Sequence, residues 1–462
     1  MTLWLALAAL LASAPAAAPR ALVGATLIDG TGAAPVSGAT VVVRDGRIEC
    51  AGKSCRVPPG ATVTDVSGTW ILPGLIDAHV HFSQTGWADG RPDSFDVRDR
   101  FPYEKAEAEL ALHPEKIFRS NLCSGVTSVF DNGGYAWTLD MARRERDDPN
   151  APRVAAAGPL LSTIDFWVNL PAERQFLHVK DPDAARTNAR YLAARGSDAI
   201  KVWFIVTPDQ TVETSTPSVL AAGEEARRVG LPLIVHATGL AEAKVALKAG
   251  AHLLVHSVWD VPVDDEFLQL AKTNGTIYCP TLTVMYGYQR QAESAASGKA
   301  PVLDDPNRCV DPALVQRITT PGILPSAGAA EQVQRLEKIL GGMASTMAAN
   351  LKRVSDAGIP VAMGTDAGNP LKLHGPSIYA EMEAMQAAGL TPMQVIVAAT
   401  RGGSRAMGAD KETGTLEKGK SADLIVVEAD PTRDVANLRR LRGVMRAGVW
   451  HLQSDLRAPA PP

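Results

Sequence analysis

Short alternating apolar stretches mark both ends of the chain, and blocks of helical spacing fill the middle. Near the N-terminus, residues 39–44 form a β-branched run, Asp45-Gly46 is a hairpin turn, and Arg47 begins a return strand. Near the other end, residues 422–428 read as a strand and residues 444–450 as two more around a turn. Neither flank is large enough to fold alone, so one small β-sandwich built from both termini is predicted. Between the flanks, apolar runs of strand length fall at residues 70–76, 126–130, 154–157, 199–204, 231–235, 253–255, 276–278 and 359–363. Helical patterns separate them at 104–123, 139–146, 182–195, 218–229, 240–249, 264–273 and 329–356. Strands alternating with crossover helices predict an α/β chain with a (β/α)8 TIM-like barrel. The expected boundaries are 17–72 and 409–462 for the two parts of the sandwich and 73–408 for the barrel. Thr391-Pro392-Met393-Gln394 supplies an N-cap, a Pro at the first helical position and a capping Gln for a further helix. Residues 289–325, rich in Pro, Asp and Gly, read as an irregular insertion after the seventh strand.

The first residues belong to a different class of segment. Residues 3–12 are apolar and run into small residues that include Ala14 and Ala16, an Ala-x-Ala pattern for cleavage after residue 16. The expectation is a signal peptide over 1–16 and a periplasmic or secreted mature protein, although no Lys or Arg precedes the apolar run. That run is too short to span a bilayer, and no later stretch is long enough, so no membrane span is expected after cleavage. Export permits disulfides. Cys50 and Cys55 are close enough for a tight loop, Cys279–Cys309 is a weaker pair, and Cys123 would remain a small buried hydrophobe.

Composition removes other readings. A net charge of -4 from 46 basic and 50 acidic residues leaves no concentrated positive surface for nucleic acid. With 46% apolar and 21% charged residues, the chain is not disordered. The 39 Gly and 32 Pro follow no collagen period and therefore punctuate loops between short elements.

The polar residues on the predicted strands carry the chemistry. His79 and His81 close the first strand two residues apart, on one face. Lys201 lies inside the fourth strand, His236 ends the fifth, His256 ends the sixth and Asp366 ends the eighth. All fall at C-terminal strand ends, the face on which barrel active sites are built. Four imidazoles and a carboxylate can hold two metal ions. An unpaired ammonium beside two cations is costly, so Lys201 must be modified, deprotonated or turned away. Carboxylation to a carbamate would make it a bridging anion.

These motifs resemble those of the amidohydrolase superfamily, in the branch of imidazolonepropionase-like proteins and metal-dependent prolidases or carboxypeptidases. The carriers are the run from Leu72 to His81, residues 199–202, residues 235–239 with His256, residues 364–368, residues 398–400, and a Gly-Lys-x-Ala-Asp-Leu-Ile ending at Ile425. Together they cover nearly the whole mature chain. The resemblance implies a binuclear hydrolase of an amide or peptide bond in a dipeptide, a C-terminal peptide bond or an N-acyl amino acid. It assigns His79, His81 and Asp366 to one divalent ion, His236 and His256 to a second, and N6-carboxylated Lys201 to the bridge between them. Zinc suits the ligand types, with manganese, iron or cobalt as alternatives. A metal-bridging hydroxide would attack the carbonyl, and Asp366 would take its proton and pass it to the departing amine. Cyclic amides, lactones and organophosphate esters are alternative substrates for the same nucleophile. The partner is a small molecule or short peptide, and dimers or larger homo-oligomers are common in the superfamily. A silent solute-binding barrel would not need the complete ligand set, and a mononuclear deaminase would leave Lys201 without a role.

Substrate contacts are less constrained. Tyr286, Tyr288, Arg290 and Arg91 are candidates near the mouth for holding a free carboxylate, with solvated loop residues as the alternative reading. Trp203 and Phe204 replace a small-residue turn common in the branch, which favours a bulky apolar or aromatic amide or else packing between barrel and helices. His374 either supports the site from behind or caps a helix.

Overall fold

The computed structural model describes residues 18–90, 94–165 and 174–459. The expected signal peptide and Arg91 lie outside these residues. Arg20–Leu27 (β1) pairs antiparallel with Val36–Arg44 (β2), which returns as Arg47–Gly52 (β3) through the predicted Asp45-Gly46 turn. Both turn residues have positive φ, 50° and 74°, as a tight hairpin between twisted strands requires. Thr62–Asp65 (β4) runs parallel to β1, and Trp70–Pro73 (β5) joins the same sheet. The expected strand over 70–76 is therefore two strands, because Leu75–Val80 (β6) leaves that sheet and opens the barrel. Gly74 makes the break possible: a Cβ there would lie 2.1 Å from Thr127 Oγ1.

The expected helix 104–123 is also divided, into Tyr103–Leu112 (α1) and Glu115–Cys123 (α2), because Pro114 cannot donate its backbone bond. Val126–Asp131 (β7), Trp137–Arg144 (α3) and Arg153–Ala156 (β8) follow, and β6, β7 and β8 form one parallel arc. Two short strands not anticipated from the sequence come next, Leu160–Ser162 (β9) and Phe176–His178 (β10). Pro182–Arg195 (α4) matches its predicted span, with Asp181 capping Ala184 N and Pro182 at the first position. The second arc contains Ile200–Trp203 (β11), Leu233–His236 (β12), Leu253–Val255 (β13) and Ile277–Cys279 (β14), all parallel. Val212–Arg228 (α5), Leu240–Lys248 (α6) and Asp265–Asn274 (α7) are its crossovers.

Backbone bonds close the ring. Asp198 N donates to Ala156 O at 2.9 Å, joining the first arc to the second ahead of β11. The eighth stave is irregular rather than the expected strand over 359–363. Tyr278 N donates to Pro360 O and Ala78 N to Met363 O, both at 2.9 Å, so it still bridges β14 and β6. Inward residues such as Ala199, Ile234, Leu253 and Ala362 fill the barrel, while Val202, Leu233, Val235 and Leu254 pack outward on the helices.

The insertion is more regular than expected. Val284–Ser297 (α8) and Pro312–Thr319 (α9) lie within or across 289–325, and Asp311-Pro312 is a capping pair whose carboxylate accepts from Ala313 N. The composition of the segment hid these helices. It has its own apolar core with Trp87, Phe95, Val310, Ile318 and Leu373. Ala329–Asp356 (α10) matches its predicted bounds. Ser377–Ala387 (α11) and Pro392–Val397 (α12) follow, and Thr391 and Gln394 form the predicted capping box. Leu424–Val427 (β15), Leu441–Arg446 (β16) and Val449–Leu452 (β17) complete the small sheet, in the order β17-β16-β15-β5-β1-β2-β3. Among the described residues no helix is long and apolar enough to cross a membrane.

Cys50–Cys55 is bonded as expected, but the second disulfide is Cys123–Cys309, with Cα atoms 5.5 Å apart. The expected Cys279–Cys309 pair does not form. Cys279 points into the barrel on β14 and is buried and free, whereas Cys309 lies over the end of α2. The bond Cys123–Cys309 spans 186 residues, against 5 for Cys50–Cys55, and ties the insertion to the barrel. Longer loops cost the unfolded chain more when closed. Replacing both Cys123 and Cys309 with Ser is expected to destabilise by about 2–5 kcal/mol. The paired Cys50 and Cys55 replacement should cost less. Thermal unfolding of both double variants checks the order.

Candidate metal centre

β6 carries His79 inward, and the chain leaving it brings His81 back beside it. His79 Nε2 is 3.3 Å from His81 Nε2 and 3.4 Å from Asp366 Oδ1, and His81 Nε2 is 3.1 Å from the same oxygen. Donors on a tetrahedral ion at about 2.05 Å stand about 3.3 Å apart, so this triangle fits one cation. His256 Nδ1 is 4.0 Å from Asp366 Oδ2. Donor atoms of His79, His256 and Asp366 also fall within 4.8 Å of one another. This group takes His79 and Asp366 from the first expected ion site and His256 from the second, and lets the Asp366 carboxylate face both. Asp366 Oδ1 is buried with no hydrogen-bond partner of normal geometry among the described residues, the condition a cation would relieve.

The fold holds this arrangement at some backbone cost. His256 and Asp366 have φ of 75° and 58°, in the left-handed region that non-glycine residues seldom occupy. Asp366 N donates to His79 O at 2.8 Å, and His256 N donates to Cys279 O at 2.9 Å. His81 Nδ1 donates to Gly133 O at 2.7 Å, which leaves its Nε2 lone pair facing the site. His256 Nδ1 shares a 2.7 Å hydrogen bond with Thr281 Oγ1. Gly364 is required by crowding, since a Cβ there would sit 2.5 Å from Cys279 Sγ and 2.8 Å from His79 Cβ.

β11 places Lys201 and Trp203 on one face, and Trp203 is in register with His236 of β12. The rings of His236 and His256 are 4.2 Å apart. Lys201 is 1% exposed and makes no hydrogen bond or ion pair with a described residue. Burial lowers its pKa to about 7, against the pull of Asp366. Burial likewise holds His79 and His236 well below the usual imidazole value and His256 at about 4. These three imidazoles are therefore neutral near pH 7, the form that ligates metal. For Asp366, burial favours protonation, but His79, His81 and His256 outweigh it: a proton entering the cluster sits on an imidazole before it sits on the carboxyl, which stays well below its ordinary value.

All six expected ligand residues line one cavity of about 360 Å³. Trp203 lines it as well and packs on Phe176 at 4.9 Å between ring centroids. Tyr288 enters it from α8 and donates to Asn369 Oδ1 at 2.8 Å. Tyr286 and Arg290 do not. They share the opposite face of α8, one turn apart, and line a separate cleft with Leu303 and Asp304. His374 stands behind the wall, with Nε2 donating to Gln84 O at 3.0 Å, rather than capping a helix. Sequence reasoning missed Gln84, Gln175, Phe176, Trp259, Met285 and Asn369 in the lining, which fall on loops, three-residue strands and an unrecognised helix. It also missed the role of Asp77, which accepts from Thr365 N at 3.0 Å and Thr365 Oγ1 at 2.6 Å and so fastens the first strand to the residue before Asp366.

The profile of the Amidohydrolase family matches residues 70–450. The chain is 25% identical to ochratoxinase of Aspergillus niger over 92% of its length and 84% of the relative's. It is 26% identical to imidazolonepropionase of Mesorhizobium japonicum, over 93% and 96% of the two chains. A solved protein of Bifidobacterium longum, provisionally called a prolidase, superposes with a TM-score of 0.70 at 26% identity over 95% of both chains.

The Asp77 latch generates a pH prediction. Burial is the main cause that pushes its carboxyl up to about 7, although the bonds from Thr365 and His79 oppose it. Its folded pKa exceeds the unfolded value, so the folded chain holds the extra proton between roughly pH 4 and 7 and loses stability as pH rises. Asp77→Asn keeps the amide oxygen as acceptor but cannot titrate. In metal-free protein, the stability of the wild type relative to this variant should fall from pH 4 to 7, as read by urea midpoints. A difference that does not change with pH would contradict this.

Proposed function

The chain belongs to the amidohydrolase family, and on that premise we propose that it is a binuclear metal-dependent hydrolase of amide or peptide bonds. The observation that carries this reading is the convergence of His79, His81 and Asp366 donors at 3.1–3.4 Å in a buried cavity. His79, His81 and Asp366 would hold one divalent ion, and His236 and His256 a second. Zinc matches this imidazole and carboxylate set. When bound, the ions supply Lewis acidity toward the scissile carbonyl and acidify the attacking water.

The chain's own groups do the rest. Asp366, held ionised, accepts the proton of the attacking water and delivers it to the nitrogen of the departing amine. His81 is fixed in one tautomer by Gly133 O, and His256 is steadied by Thr281. Lys201, with its pKa lowered to about 7 by burial, presents a substantial fraction of free amine at neutral pH. That amine can add to CO2 and release a proton, giving a carbamate that would bridge the ions in place of an isolated ammonium. The names of the relatives, ochratoxinase, imidazolonepropionase and prolidase, support hydrolysis of small molecules and short peptides. The two disulfides support a periplasmic or secreted location.

Protein prepared with zinc and bicarbonate should contain two metal equivalents by mass spectrometry, and fewer would sink the binuclear reading. Chelation should abolish turnover of a dipeptide and N-acyl amino acid panel, with recovery on adding zinc. Asp366→Asn should lower kcat by about 10²–10⁴-fold. Lys201→Ala should also inactivate, and partial rescue by acetate or propionate would identify the missing group as a carboxylate.

A further inference from the structure

Apart from the six ligand-type residues, the cavity wall among the described residues carries one charged side chain, Glu242. It is the third residue of α6, and its carboxylate folds back over the start of that helix. A Cβ on Gly239 would lie 2.3 Å from Glu242 Oε2. It forms no ion pair with a described residue, and neither does Asp260, whose carboxylate accepts from Leu240 N at 3.0 Å at the same helix end. Burial, and then the nearby Asp260, raise the Glu242 pKa, so a cation arriving there would relieve an existing electrostatic penalty.

The surroundings suit such a cation independently. Trp203 and Phe176 form a tilted ring pair along the same cavity. Trp259 lines the cavity beside the start of α6, with its backbone N–H donating to Thr238 O at 2.9 Å. Faces of aromatic rings attract ammonium and guanidinium groups, more strongly when water is excluded. We propose that Glu242 sets the specificity of the cavity and that its substrate is an amide bearing a basic group, an amine or guanidinium, together with an apolar or aromatic ring. The basic group pairs with Glu242, and the ring lies along Trp203 and Phe176. This assignment rests on the hydrolase reading above for the amide, but not for the cation site itself.

The bland role for Glu242 is to cap α6, and Glu242→Gln preserves that role while removing the charge. Calorimetric titration of the zinc-loaded protein uses benzyltrimethylammonium, a quaternary cation that cannot ligate metal, and benzyl alcohol, which supplies the same ring without charge. The cation is expected to bind the wild type at least tenfold more tightly than the alcohol. Glu242→Gln should abolish that advantage and leave both the alcohol affinity and the melting temperature unchanged. Equal binding of the two probes, or a cation preference that survives Glu242→Gln, overturns the proposal. Because titration reads binding alone, failure to hydrolyse any amide would count against the hydrolase reading and leave the cation result standing.

Discussion

Three buried donor atoms, His79 Nε2, His81 Nε2 and Asp366 Oδ1, are held closer together than any single proton arrangement can satisfy. One proton placed between two of them leaves the third facing a lone pair. A divalent cation turns the same repulsion into coordination, and much of the barrel is arranged to keep the donors in place despite their mutual cost. Asp77 locks the first strand to Thr365, the chain at His256 and Asp366 adopts strained left-handed backbone, and Gly364 leaves no room for a side chain. The irregular eighth stave follows from this crowding. Its backbone bends away from regular pairing so that Asp366 N can return to donate to His79 O, while Pro360 and Ala362 keep the bonds to Tyr278 and Met363 O accepts from Ala78 N.

The ligand-type residues were legible because strand geometry is local. Two histidines spaced by two residues must share a face, and a polar residue ending an apolar run must sit at a strand end. What was not legible depends on distant parts of the chain. Whether the run after Trp70 is one strand or two depends on which sheet each half finds, and that partner, β15, is more than three hundred residues away. Cys309 had two possible partners, and only the path of the insertion across α2 selects Cys123. The three-residue strands β9 and β10 are too short to show a period, so Gln175 and Phe176 gave no signal of lining the cavity.

The case of α8 shows how one misread element spreads. Once 289–325 is taken as irregular, Tyr286 and Tyr288 just before it and Arg290 at its start have no common register, and all three remain equal candidates. As a helix, Tyr288 aligns with Val284 on the cavity side, while Tyr286 and Arg290 align on the other. The cavity is thus assembled from parts of unequal rigidity: strand ends that carry its chemistry, and an inserted helical layer that closes one side. That layer has its own core and its own covalent anchor. It can vary in sequence without disturbing the strands that carry the donors.

The small sheet has a consequence for how the chain is made. β5 lies between β1 and β15, so a strand from the far end of the sequence completes its pairing. During synthesis the barrel must therefore wait with β5 exposed along one edge until the last residues emerge. An unpaired apolar edge is a site for mispairing between chains. The protein's vulnerable moment is then the interval before its final strands arrive, and a premature stop codon near the C-terminus would be more damaging than the distance from the catalytic pocket suggests.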